Sequence, residues 1–151
     1  MAGQSHEIEL RVTSDPHWPT SVEVVVGGID LVDRVATYER ARGYEPAGDY
    51  SGLVPEHFRF GDLAEYFRGE EACQWPRPGR LWLLGCDCGE AGCWPLEARV
   101  TVTDDSVTWS EFRQPFRDDW SYEGFGPFTF DRTRYDEAVV KAVVALDDGS
   151  V

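Results

Sequence analysis

The chain's clearest pattern is a strict alternation of apolar and polar side chains. Trp94, Leu96, Ala98, Val100 and Val102 alternate with Pro95, Glu97, Arg99, Thr101 and Thr103, which predicts a half-buried antiparallel strand. Asp104 and Asp105 make a turn, and Ser106 to Arg113 returns as the partner strand. A two-residue turn sets Val102 opposite Val107 and Val100 opposite Trp109, which keeps the apolar face on one side. The same period of two marks His6 to Thr13, where Ile8, Leu10 and Val12 alternate with Glu7, Glu9 and Arg11. Asp15-Pro16 and Trp18-Pro19 read as the connection to a second strand, Val22 to Val26, which Gly27-Gly28 ends.

Helical spacing takes over next. Asp30 can cap a helix over Leu31 to Arg42, whose apolar stripe is Leu31, Val32, Val35 and Tyr38 and whose stop is Gly43. Tyr44 to Pro55 is rich in Gly, Pro, Asp and Ser and reads as a loop. Asp62 to Arg68 predicts a short helix and Leu81 to Gly85 a strand, with the Trp75 to Gly79 loop between them. Gln114 to Gly126 is irregular and aromatic, and Pro127 to Phe130 reads as a last short strand. Asp131 or Thr133 can then cap a C-terminal helix carrying Tyr135, Val139, Val143 and Leu146 on one side. Strands joined by hairpins, with helices between and after them, predict an α+β fold. It has a mostly antiparallel sheet of about five to six strands, with two or three helices on one face.

Composition narrows the class. A chain of 151 residues, 42% hydrophobic and 13% aromatic, is long enough for one domain, 1–151, with a real core. No apolar run approaches the roughly 20 residues of a membrane span, and the N-terminus has no basic region followed by an apolar run. The expected setting is cytoplasmic. The formal net charge of -14 argues against nucleic acid and anionic membrane as partners, and suits either a solvated surface or a basic partner.

The candidate chemistry lies between Leu83 and Leu96. Three of the chain's four cysteines, Cys86, Cys88 and Cys93, fall in this stretch with glycines in the gaps. In a reducing compartment such clusters are more often metal ligands or reactive thiols than disulfides. If residues 87–92 are a hairpin loop, Cys86 and Cys93 are opposite one another, with Cβ atoms about 4.5–5.5 Å apart. Parity from Trp94, Leu96 and Val100 then places both on the face away from the core, with Pro95, Glu97 and Arg99. Gly89 and Gly92 let backbone N–H groups approach sulfur and stabilise thiolate around Cys88. The expected metal is zinc, although C-x-C-x4-C is not a common zinc spacing; the alternatives are a redox or nucleophilic thiol site and cysteines that only pack in a tight glycine-rich turn. Cys73 can complete a four-cysteine set; His57, Asp87, Glu90 or water are the alternatives.

Two further features bear on function. His6 and His17 read as structural, whereas His57 is a candidate base or ligand. Phe112 to Phe128 mixes aromatics with Arg113 and Arg117, the residue types enriched at binding hot spots. It is either a loop held over the sheet edge by its own rings or a partner surface. No hydrolase elbow, zinc-protease helix, phosphate loop or dinucleotide fingerprint is present.

The run Gly85-Cys86-Asp87-Cys88-Gly89-Glu90-Ala91-Gly92-Cys93-Trp94-Pro95, with Gly126-Pro127-Phe128-Thr129-Phe130-Asp131, resembles a family of small uncharacterised actinobacterial proteins over most of the chain. That family has no known activity, so the resemblance implies a bacterial, intracellular setting and no residue role. Three readings stand. The first is a binding or interaction module with a zinc-holding cysteine loop. The second is a metal- or thiol-dependent enzyme using Cys86, Cys88 and Cys93. The third is an acidic inhibitor or immunity-type protein for a basic partner.

Overall fold

The computed structural model describes residues 5–45, 47–54, 63–68, 80–86, 94–117 and 119–149. The fold is α+β, with two antiparallel sheets and three helices. The first sheet has the order β1 (Ile8–Asp15), β2 (Trp18–Val26) and β3 (Ile29–Asp30). The second runs β4 (Tyr50–Ser51), β5 (Arg80–Cys86), β6 (Leu96–Val102), β7 (Ser106–Arg113) and β8 (Phe128–Asp131). The helices are α1 (Leu31–Ala41), α2 (Leu63–Phe67) and α3 (Arg132–Gly149). Among the described strands, six have four or more residues, and β3 and β4 have only two each.

Two backbone links tie the sheets together. Val22 of β2 exchanges both hydrogen bonds with Leu53, just beyond β4, at 2.7 and 3.0 Å. At the opposite margin the His6 amide donates to the Thr129 carbonyl of β8 at 2.7 Å. The strands therefore curl into a nearly closed circuit around one core, and α3 packs across β1, β7 and β8. Tyr135, Val139 and Ala142 of α3 enter that core beside Trp109 and Phe130. The capping residues act as the sequence predicts. The Val32 amide donates to Asp30 Oδ1 at 2.8 Å, the Arg134 amide to Asp131 Oδ2 at 3.1 Å, and Gly43 takes the left-handed φ of +74° that ends α1.

The β6–β7 hairpin has the expected register, Val102 opposite Val107 and Val100 opposite Trp109. Three expectations need correction. Trp18-Pro19 belongs to β2, and the turn is Pro16-His17; proline is tolerated near the start of a strand, where few ladder donors are needed. Tyr44 to Pro55 is not all loop, because Tyr50–Ser51 forms β4 against β5. The polar face of β6 is not uniformly wet. Pro95 and Glu97 are buried like Leu96 and Ala98, while Val102 emerges to solvent.

A bulge in β7 explains how the following loop enters the core. Arg99 pairs with Ser110 but Glu97 pairs with Arg113, and Glu111 in the gap has φ of 49°. Val107 and Trp109 face inward before the bulge, and Phe112 and Gln114 face inward after it. One extra residue thus reverses the parity of the strand and aims its end into the interior.

Candidate functional site

The site is built around Tyr50. Its backbone pairs with Cys86, the last residue of β5, and its ring lies 6.5 Å from Trp94, centroid to centroid. Residues 86 and 94 are the two described residues that flank the cysteine segment, so both ends of that segment converge on one tyrosine. Cys73, Cys88 and Cys93 lie outside the described residues, as do His57, Asp62, Asp87 and Glu90 and the side chain of Cys86. Among the described residues no group of three metal-ligating side chains occurs. The expected opposition of Cys86 and Cys93 lies outside the described residues, and the β5–β6 register is irregular short of it. Trp82 faces Glu97, but after a bulge Leu84 faces Leu96, a shift of one position.

Beneath Tyr50 lies a buried polar cluster that the sequence does not announce. Glu39 of α1 is fully buried. Its carboxyl oxygens accept hydrogen bonds from the Gly48 amide at 2.8 Å, the Tyr50 hydroxyl at 2.7 Å and the Tyr122 hydroxyl. Gln114 completes the cluster. Its amide nitrogen donates to the Tyr50 hydroxyl and the Pro95 carbonyl, and its oxygen accepts from the Phe116 amide. A buried carboxyl group is tolerated only when its oxygens are satisfied, and here three donors do so. Burial first, and the neighbouring Glu39 carboxyl next, push the Tyr50 hydroxyl well above its ordinary range. Burial first, then Tyr50, does the same for Tyr122. Both therefore remain protonated donors.

Above the cluster the 112–128 loop divides into two layers. Phe112, Tyr122, Phe125 and Phe128 are buried; Phe125 packs edge-to-face on Phe112 at 4.9 Å and on Phe128 at 5.5 Å. The outer layer is half-open. Trp120 stacks on Tyr44 at 4.7 Å and meets Trp94 edge-on at 5.9 Å. The exposed Arg117 guanidinium sits 5.0 Å from the Trp94 ring centre and 5.9 Å from that of Trp120. Such contacts contribute about 0.5–1 kcal/mol each at exposed sites, enough to pre-order the side chain. Phe116 beside them is 51% exposed.

No family model, curated protein or solved structure matches the chain.

Two other arrangements are candidates on chemical grounds. A cleft of about 560 Å³ is lined by Thr13, Ser21, Glu23, Asp30, Asp33 and Tyr50, among others. Partial burial, and then the adjacent Asp30 carboxyl, push the pKa of Glu23 above its ordinary value. On β6 the buried Glu97 lies 3.5 Å from an Arg80 nitrogen and 3.9 Å from Arg113 Nε, and it accepts from Trp82 Nε1 at 3.4 Å. That group links three adjacent strands and reads as a structural clamp. His6 packs edge-on against Phe128 and His17 sits in an exposed hairpin turn, both in keeping with structural roles.

The sequence shows the aromatic loop and the cysteine motif. It does not show Glu39 or Tyr50. A glutamate on an amphipathic helix reads as solvent-facing, and Tyr50 sits in a stretch with no strand signal.

None of the described helices is long and apolar enough to cross a membrane.

Proposed function

We propose that the protein is a binding module. In this reading Cys86, Cys88, Cys93 and Cys73 hold a zinc ion, and the half-open surface of Tyr44, Trp94, Phe116, Arg117 and Trp120 docks a protein partner. The observation that carries the reading is the convergence on Tyr50. Cys86 pairs with it, Trp94 packs near it, and its hydroxyl is locked to Glu39 beneath. A metal holding the cysteine segment would thereby brace Trp94, the residue that follows Cys93, against Trp120 and Arg117. Aromatic and arginine side chains pre-ordered on a rigid base are the composition of interface hot spots. The formal charge of -14 favours a basic partner.

Metal analysis of protein purified without added zinc tests the first half. About one equivalent is expected, bound more weakly in Cys93→Ser, and less than about a tenth of an equivalent would overturn it. A photoreactive residue at Phe116 tests the second half. The reading expects one discrete adduct to a basic protein, absent when the probe replaces the equally exposed Val140 of α3. With that partner purified, Trp120→Ala should weaken binding at least ~10-fold while leaving the fold intact. Loss of folding in Trp120→Ala, or equal labelling from both probe sites, would contradict a docking surface.

A further inference from the structure

We propose that the outer edge of β1 pairs with β1 of a second copy of this chain, joining two sheets across a two-fold axis at Leu10. The Gly27 amide donates to the Glu7 carbonyl at 2.8 Å, so residue 7 and the odd-numbered residues after it turn their backbone groups toward β2. The His6 amide points the other way, to Thr129 of β8. By alternation the N–H and C=O groups of Ile8, Leu10 and Val12 face outward, and among the described residues no strand continues beside them after His6. A groove of about 440 Å³ runs along this margin between β1 and α3, lined by Ile8, Leu10, Val12, Arg134, Ala138 and Lys141, among others. An unpaired edge of this kind is a template for another strand.

The charges on the edge choose the occupant and its register. An added antiparallel strand must pair even residues with even residues, because those carry the free backbone groups. Centring the pairing on Leu10 sets Ile8 opposite Val12 of the second copy. It also sets Glu9 opposite Arg11 of the second copy, and Arg11 opposite its Glu9. Sliding the strand two residues one way opposes Glu9 to Glu9, and two residues the other way opposes Arg11 to Arg11. Like charges directly opposite are unfavourable, so of these three registers the one centred on Leu10, with two opposite-charge pairs and no like pair, is favoured. Glu9 and Arg11 are exposed and within a single copy bond to each other at 3.1 Å, so the two pairs of the separate copies can be exchanged for two across the axis. The contact uses the same surface on both copies and therefore closes at a dimer.

Sedimentation equilibrium of the full chain tests this. The expected result is a reversible mass of twice 17.1 kDa at high concentration. Glu9→Arg and Arg11→Glu should each raise the dissociation constant at least ~10-fold, and the double swap should restore it. Amide exchange gives a second reading that needs no substitution: Ile8, Leu10 and Val12 should slow as concentration rises, and Glu9 and Arg11 should not change. A monomer at every concentration, single swaps that leave association unchanged, or a dimer lost in Trp120→Ala but not in the swaps would overturn the proposal.

Discussion

Two carboxyl groups are buried to nearly the same extent and held in opposite ways. Glu97, near the start of β6, lies among cations: Arg80 on one neighbouring strand, Arg113 on the other, with the Trp82 indole beside it. Glu39, on α1, is held by neutral donors: two tyrosine hydroxyls and one backbone amide. The first arrangement is regular, since its members are brought together by strand register. The second assembles residues from α1, from β4 and the segment before it, and from the loop after β7. An ion-pair clamp tolerates exchange of partners and partial solvation, because Arg113 is half-exposed and Arg80 also holds Glu111. The hydroxyl cluster has no such reserve. Each donor has its geometry set by the carboxyl group it serves, so the cluster fixes where Tyr50 and Tyr122 stand, and through them the surface above.

The sharpest break of that comparison is Glu39→Ala. It leaves a half-buried amide and two buried hydroxyls without their acceptor, and the loss should be about 4 kcal/mol, read as a lowered denaturant midpoint. Glu97→Ala should cost less, about 2 kcal/mol, because Arg80 keeps Glu111 and Arg113 reaches solvent. If the two variants are equally destabilised, the distinction fails.

Alkaline titration sharpens the same contrast. The hydroxyls of Tyr50 and Tyr122 are raised in the folded state from an ordinary value of 10.0. Above that pH the unfolded chain releases protons that the folded chain retains. The unfolded state then binds fewer protons, so stability is full below pH 10 and falls as pH rises beyond it. Thermal melts between pH 8 and 11 should show this fall in the parent chain and a shallower one in Tyr122→Phe.

The smallest effect concerns Glu23, a carboxyl group beside another carboxyl group. Its raised value means that protonation favours the fold, so its contribution is present at acid pH and lost as pH rises through the carboxylate range. Glu23→Gln should therefore raise the melting temperature slightly at pH 7 and leave it nearly unchanged at pH 4.

Particular residues show how much of this was legible. The β6–β7 register follows from uninterrupted alternation on both sides of a short turn, where no competing register buries the same side chains. Asp30, Gly43 and Asp131 mark helix ends because capping chemistry is local. The bulge at Glu111 was not legible, since a single extra residue in a strand leaves no compositional trace. The bulge between Trp82 and Leu84 was hidden for the same reason. Glu39 was hidden for a different reason: its partner Tyr122 is 83 residues away, and only the tertiary fold brings the two together. The cysteine motif was visible as chemistry, and its junction with the aromatic loop at Tyr50 became visible only in three dimensions.

The most direct test of the central claim, that the cysteine segment and the aromatic surface act as one unit anchored on Tyr50, is a zinc titration of chelator-treated protein followed by tryptophan emission. The account predicts an emission change that saturates near one equivalent, disappears in Trp94→Phe and in Cys93→Ser, and leaves the far-ultraviolet circular dichroism unchanged. Zinc binding with no change in emission, or an emission change that persists without Trp94, would contradict it.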